Sequence, residues 1–102
     1  MRITYDSALR DYMTRKNLPH IVVDACFAKT CGGTIAELDV QLADEARAVK
    51  LRPQARAVHA GEMGDVLVMA RELEVDEQVV FRLKRFLGLA EVVAEGIRAY
   101  RF

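Results

Sequence analysis

HIVVDACFAKTCGGTIAELDVQLA, residues 20–43, is the stretch that decides what this chain builds. Its second half alternates without a break, with Ala36, Leu38, Val40 and Leu42 on one side of an extended backbone and Ile35, Glu37, Asp39 and Gln41 on the other. Successive side chains of a strand point to opposite faces, so this pattern predicts a half-buried antiparallel strand with its apolar side inward. The first half is dense in β-branched and aromatic residues, which fit a pleated surface. It predicts a second strand, with Ile21, Val23, Ala25 and Phe27 on one face and Val22, Asp24, Cys26 and Ala28 on the more polar one. Between the two, Cys31, Gly32 and Gly33 have the small, permissive side chains of a turn.

Upstream, Thr4 is the expected cap of a helix over Tyr5–Lys16, with Asp6 in its first turn and Ala8, Leu9, Tyr12 and Met13 at helical spacing. Asn17 suits the helix end, and Pro19 forbids continuation. Downstream, residues 44–56 have a mixed pattern interrupted by Pro53, which predicts a loop holding one helical turn. ARAVHA and GDVLVMA flank GEMG, whose glycines suit a hairpin reversal. QVVFRL fits either a strand or a helix, because Val79, Val80, Leu83, Phe86 and Leu87 also form a helical stripe. Gly88 and Gly96 are expected to keep the C-terminal elements, LAEVVAE among them, short. The sum is one α+β domain: an N-terminal helix followed by short, mainly antiparallel strands, arranged as two packed sheets or a partly closed barrel.

Composition narrows the class. The 102 residues are 52% hydrophobic and 29% charged, the balance of a globular chain rather than a disordered one. Fifteen basic residues match fifteen acidic ones, so no overall field draws the chain to nucleic acid or to an anionic membrane. The opening residues lack the apolar core of a signal peptide, and no run of about 18 apolar residues occurs, so a cytoplasmic protein without a membrane span is expected. Two cysteines in a reducing compartment are free thiols, metal ligands or a transient redox pair rather than a structural staple.

In its order of helix, strand, cysteine with glycines, alternating strand, hairpin, then KRFLG and VVAEGI, the chain resembles the HesB-like fold of A-type iron–sulfur carriers. It is more similar still to a short HesB-like family with a Cys-Cys or selenocysteine motif. The similarity spans nearly the whole chain and is strongest in TCGGTIAELDV and RLKRFLGLAEVVAEGI. The paired motif falls at Thr30 and Cys31, and no cysteine follows Cys31, where the carriers have a Cys-Gly-Cys. Cys31, followed by Gly32 and Gly33, is therefore the residue carried over. The resemblance implies a HesB-like sandwich or pseudobarrel and a non-enzymatic role in handling iron, sulfur or an iron–sulfur cluster. Cys31 would be the ligand and Cys26 a second one, and the partners would be a second copy of the chain and iron–sulfur assembly proteins.

The residues themselves allow that chemistry in a limited way. A thiol becomes a ligand or nucleophile by losing its proton, which nearby amides or a cation favour; Gly32, Gly33 and Lys29 could provide these for Cys31. Equally, CGG can be a plain turn, and a strand cysteine such as Cys26 usually just packs. Five steps of extended chain span about 16 Å, whereas a disulfide needs Cα atoms within about 7 Å, so the two sulfurs meet only if the chain folds back between them. A cluster usually takes four protein ligands, which calls for two chains each giving Cys26 and Cys31, or for His20 or His59. A lone C-x4-C does not predict structural zinc. His20 and His59 read as surface or satisfied histidines, Glu37 and Asp39 as solvated carboxylates, and Arg82, Lys84, Arg85, Arg98 and Arg101 as a solvated basic face. No catalytic set forms, so an enzyme is not expected. Two other classes compete: a thiol-redox or persulfide-handling protein in which Cys26 resolves Cys31, and a structural or interaction module that has lost metal binding.

Overall fold

The computed structural model describes residues 2–71 and 73–99, apart from the side chains of residues 27–30, 34 and 35. Residues 20–43 form the hairpin that their alternation predicts. β2 (His20–Thr30) and β3 (Gly33–Ala43) pair antiparallel along their whole length, from His20 opposite Ala43 to Thr30 opposite Gly33. The register sets Ile21 opposite Leu42, Val23 opposite Val40 and Ala25 opposite Leu38, so the two apolar faces merge into one. Ile21 and Val23 are fully buried in the main core, with Leu38, Val40 and Leu42 packed against it. On the reverse face Val22 is buried beside Ala43 and Leu67, and the face turns polar outward through Asp24 and Cys26.

The GEMG reversal is also as expected. β4 (Ala57–Ala60) and β5 (Asp65–Val68) form an antiparallel hairpin, closed by the Gly61 amide donating to the Gly64 carbonyl at 2.8 Å. β5 runs parallel to β2, but pairs only with Ile21, Val22 and Val23, giving a sheet of order β3-β2-β5-β4. Past Val23, β2 and β3 continue outward as a two-stranded ribbon.

The N-terminus departs from expectation. Arg2–Tyr5 is a strand, β1, and it precedes the helix α1 (Ser7–Lys16). Thr4 lies within that strand, and the cap is Asp6, whose Oδ1 accepts from the Leu9 amide at 2.8 Å. The helix ends at Asn17 in the left-handed conformation, as its sequence indicates, and buries Leu9 and Met13. β1 is a strand because a partner awaits it: Ile3 and Tyr5 lie parallel to Val79 and Phe81 of β6 (Leu73–Phe86). This settles QVVFRL as strand, with Val79 and Phe81 fully buried and Gln78 and Arg82 exposed.

β6 turns through Leu87 and Gly88, both at positive φ (51° and 80°), into β7 (Leu89–Ala99), giving a second sheet of order β1-β6-β7. A two-residue turn with both central φ positive matches the twist of the strands it joins. These strands are long, 14 and 11 residues, so Gly96 does not shorten its element. It sits where the register slips, between Val75 opposite Ile97 and Val80 opposite Glu95. At φ 93°, with the Gln78 carbonyl 2.4 Å from where a Cβ would stand, it lets β7 pass an irregularity that a side chain would block.

Residues 44–56 are more regular than a loop. Asp44 caps α2 (Glu45–Leu51) by accepting from the Arg47 amide, and a single 3-10 turn, Arg52–Gln54, follows. Only Ala48 of α2 is fully buried, against Val22 and Leu67, so its apolar stripe is too narrow to stand out as a period. Among the described residues three of the five strand pairings are antiparallel, but each sheet contains a parallel one, so the architecture is α+β with two mixed sheets. The outer strands β3 and β7 pass close to each other. Val40, Gln41 and Leu42 share a hollow of about 320 Å³ with Ala90, Glu91 and Val92, and Leu38 and Asp39 share the next one with Val93 and Ala94. The two strands therefore run antiparallel, and the free ends of the two hairpins point to opposite ends of the molecule.

Candidate functional site

Cys31 and Gly32 form the turn of the β2–β3 hairpin, with Thr30 and Gly33 as the last pair below them. Gly33 has φ 122°, a conformation only glycine adopts easily, which is why the reversal fits directly after the cysteine. Cys31 and Cys26 are both free and exposed. Lys29, the cation that the sequence offers to Cys31, is among the side chains outside the described residues, as is Phe27.

The chain does not fold back between the two cysteines. β2 is continuous through both Cys26 and Thr30, so the Cα atoms of Cys26 and Cys31 stand about 16 Å apart at the usual strand rise. That is well beyond the span of a disulfide or of one metal centre. A single chain thus supplies two separate, outward thiols and no joint site. Cys26 lies opposite Glu37, with Asp24 and Asp39 forming the next pair on the same face. Asp24 accepts from the Ala25 amide, and Asp39 from the Gln41 side chain at 3.2 Å. Among the described residues, no group of three His, Cys, Asp or Glu side chains is placed to hold a metal ion.

A second polar constellation lies at the other end of β2. His20 is buried, 5% exposed, and both ring nitrogens are engaged. Nδ1 accepts the Asp65 amide at 3.0 Å, so the proton belongs on Nε2, which donates to Glu45 Oε2 at 2.5 Å. Arg52 closes the network, donating to Asp65 Oδ2 from Nε and Nη2 (3.1 and 2.8 Å) and reaching Glu45 Oε1 at 3.4 Å. The hydrogen bond from His20, with the charge of Arg52 beside it, holds the Glu45 carboxyl below the usual carboxylate range. Asp65 and Glu45 likewise push the Arg52 guanidinium up. With no ring nitrogen left for a substrate or metal, His20 is a satisfied buried histidine that fastens α2 and its 3-10 turn to β2 and β5. His59 is half-buried in β4, opposite Val66.

Sequence reading could not assemble this network, since its members come from four elements and only the Asp44 cap signals where α2 begins. It also missed the Tyr5 hydroxyl, which is buried beside the Met63 amide without a hydrogen-bond partner among the described residues. Burial raises the Tyr5 phenol above its ordinary range. No protein-family model, curated protein or solved structure matches the chain.

Proposed function

We propose that this chain is a non-enzymatic, HesB-like thiol protein that takes up iron–sulfur cargo, or iron and sulfur, through Cys31. The observation that carries the proposal is the position of Cys31: exposed at the apex of a hairpin whose two strands are 11 residues each, in a turn that it shares with Gly32 and Gly33. A thiolate there is reachable by cargo and by a partner's ligands. Support also comes from the resemblance carried by TCGGTIAELDV and RLKRFLGLAEVVAEGI. Because Cys26 lies about 16 Å away along the strand, it serves as a separate sulfur and not as a co-ligand from the same chain. A cluster usually takes four protein ligands. The cargo is therefore held between apices, with Cys31 from each of two copies and the remaining positions filled by an assembly partner or by small thiols. The same separation removes the version of the redox alternative in which Cys26 resolves Cys31 within one chain.

Anaerobic reconstitution with ferric iron and sulfide tests this proposal, read by visible absorption together with sedimentation. Wild type should develop a charge-transfer chromophore in a dimeric fraction. Cys31→Ala should lose the chromophore, while Cys26→Ala should keep most of it. If wild type gives no chromophore but Cys31 alkylates rapidly, the protein is a thiol-redox or persulfide carrier working between molecules. If both are absent, it is a structural module.

A further inference from the structure

The hairpin at the opposite end has a different character. Phe86, Leu87 and Leu89 are 69%, 86% and 74% exposed, all at the β6–β7 reversal. Phe86 and Leu89 form the last cross-strand pair, and Leu87 occupies the turn itself. β1 accompanies β6 only as far as Phe81, so the final residues of β6 stand with β7 as a two-stranded ribbon. One and two positions behind the apex are Arg85, opposite Ala90, and Lys84, opposite Glu91. As neighbours on a strand they project to opposite faces, placing a cation on each side of the ribbon. Both are exposed, and neither is ion-paired with a described residue, whereas Arg82, further back, is held by Glu95 at 3.2 Å.

Exposed apolar side chains grouped at one place mark an interaction surface. A stable protein interface buries about 800 Å² on each partner, usually across a broad face. This apex offers three side chains on a narrow convex tip, too little for a dimer. A bilayer surface, in contrast, closes around a narrow apolar tip, and basic side chains just behind it meet lipid phosphates. We propose that the β6–β7 apex is a shallow anchor for an anionic lipid surface. Leu87 leads Phe86 and Leu89 into the headgroup boundary, and Lys84 and Arg85 lie at phosphate level. The chain as a whole carries no net charge, so the attraction is local to this arm. Since the two hairpins point to opposite ends, Cys31 then faces away from the lipid. This proposal is independent of what Cys31 binds.

Flotation of the full chain with vesicles of phosphatidylcholine alone, or of phosphatidylcholine mixed with phosphatidylglycerol, tests it. Wild type should float with the mixed vesicles and much less with the neutral ones, and salt should weaken the binding. Leu87→Asn keeps a residue that tolerates the positive φ of the turn and should reduce binding about tenfold through lost apolar burial. Lys84→Gln and Arg85→Gln should each cost about fivefold, the loss of one cation at an anionic surface. Far-ultraviolet circular dichroism should be unchanged in all three variants. Failure of wild type to float with the mixed vesicles overturns the proposal, as does binding that Leu87→Asn leaves intact. Self-association that Leu87→Asn abolishes, without flotation, would instead make the apex a contact between copies.

Discussion

The imidazole of His20 donates to the Glu45 carboxylate at 2.5 Å, tying the first residue of β2 to the first residue of α2. On its other side the ring accepts the Asp65 amide, so one buried side chain fixes the positions of three elements. His20→Ala would leave that amide without its partner and open a cavity, and should destabilise the fold by about 2–3 kcal/mol. Glu45 is largely exposed, so Glu45→Gln should cost clearly less. Urea denaturation at neutral pH would rank the two, and an equal loss would show that the network does not depend on the buried ring.

Acid should weaken the fold through two carboxylates. Glu45 is held low by the hydrogen bond from His20, and Asp76 by the hydrogen bond from Arg98, which bonds it at 2.7 Å. A carboxylate whose folded pKa lies below its unfolded value stabilises fully above the unfolded value, about 4, and that contribution fades as pH falls through the folded one. Stability should therefore be flat near neutrality and decline below about pH 4. Glu45→Gln should flatten part of that slope in a pH series of denaturation midpoints.

Alkali acts through Tyr5 with the opposite sign. Its buried phenol titrates above the ordinary value of about 10, so its contribution is complete below pH 10 and is lost as pH rises toward the folded value. Tyr5→Phe should remove this alkaline decline. It should also leave neutral stability unchanged or slightly higher, because it deletes a buried hydroxyl with no hydrogen-bond partner among the described residues.

Gly96→Ala should be among the costlier single-methyl changes, about 3 kcal/mol, since it combines a positive φ with a Cβ position 2.4 Å from the Gln78 carbonyl. Thermal melting would show the loss. A melting temperature within a degree of wild type would mean that the β6–β7 irregularity relaxes freely.

Oxidation should leave Cys26 and Cys31 unlinked within a chain, since β2 runs unbroken through both Cys26 and Thr30. Mild oxidant should yield disulfide-bonded dimers on a non-reducing gel, and both thiols should alkylate in the folded protein because both are exposed. An intramolecular disulfide found by mass spectrometry would contradict the extended strand.

What the chain's local order determined on its own is the hairpin of residues 20–43, the GEMG reversal and the stop of α1 at Asn17, because alternation, turn chemistry and capping depend on neighbours a few residues apart. It also placed Cys31 in a turn. The tertiary structure decided the rest. Arg2–Tyr5 is a strand because Gln78–Phe81 offers a parallel neighbour, and QVVFRL is a strand because β1 and β7 flank it. His20 is satisfied because Glu45 and Asp65 arrive from 25 and 45 residues away. Parallel pairing and buried polar bonds join segments that share no local pattern, so no window of sequence contains them.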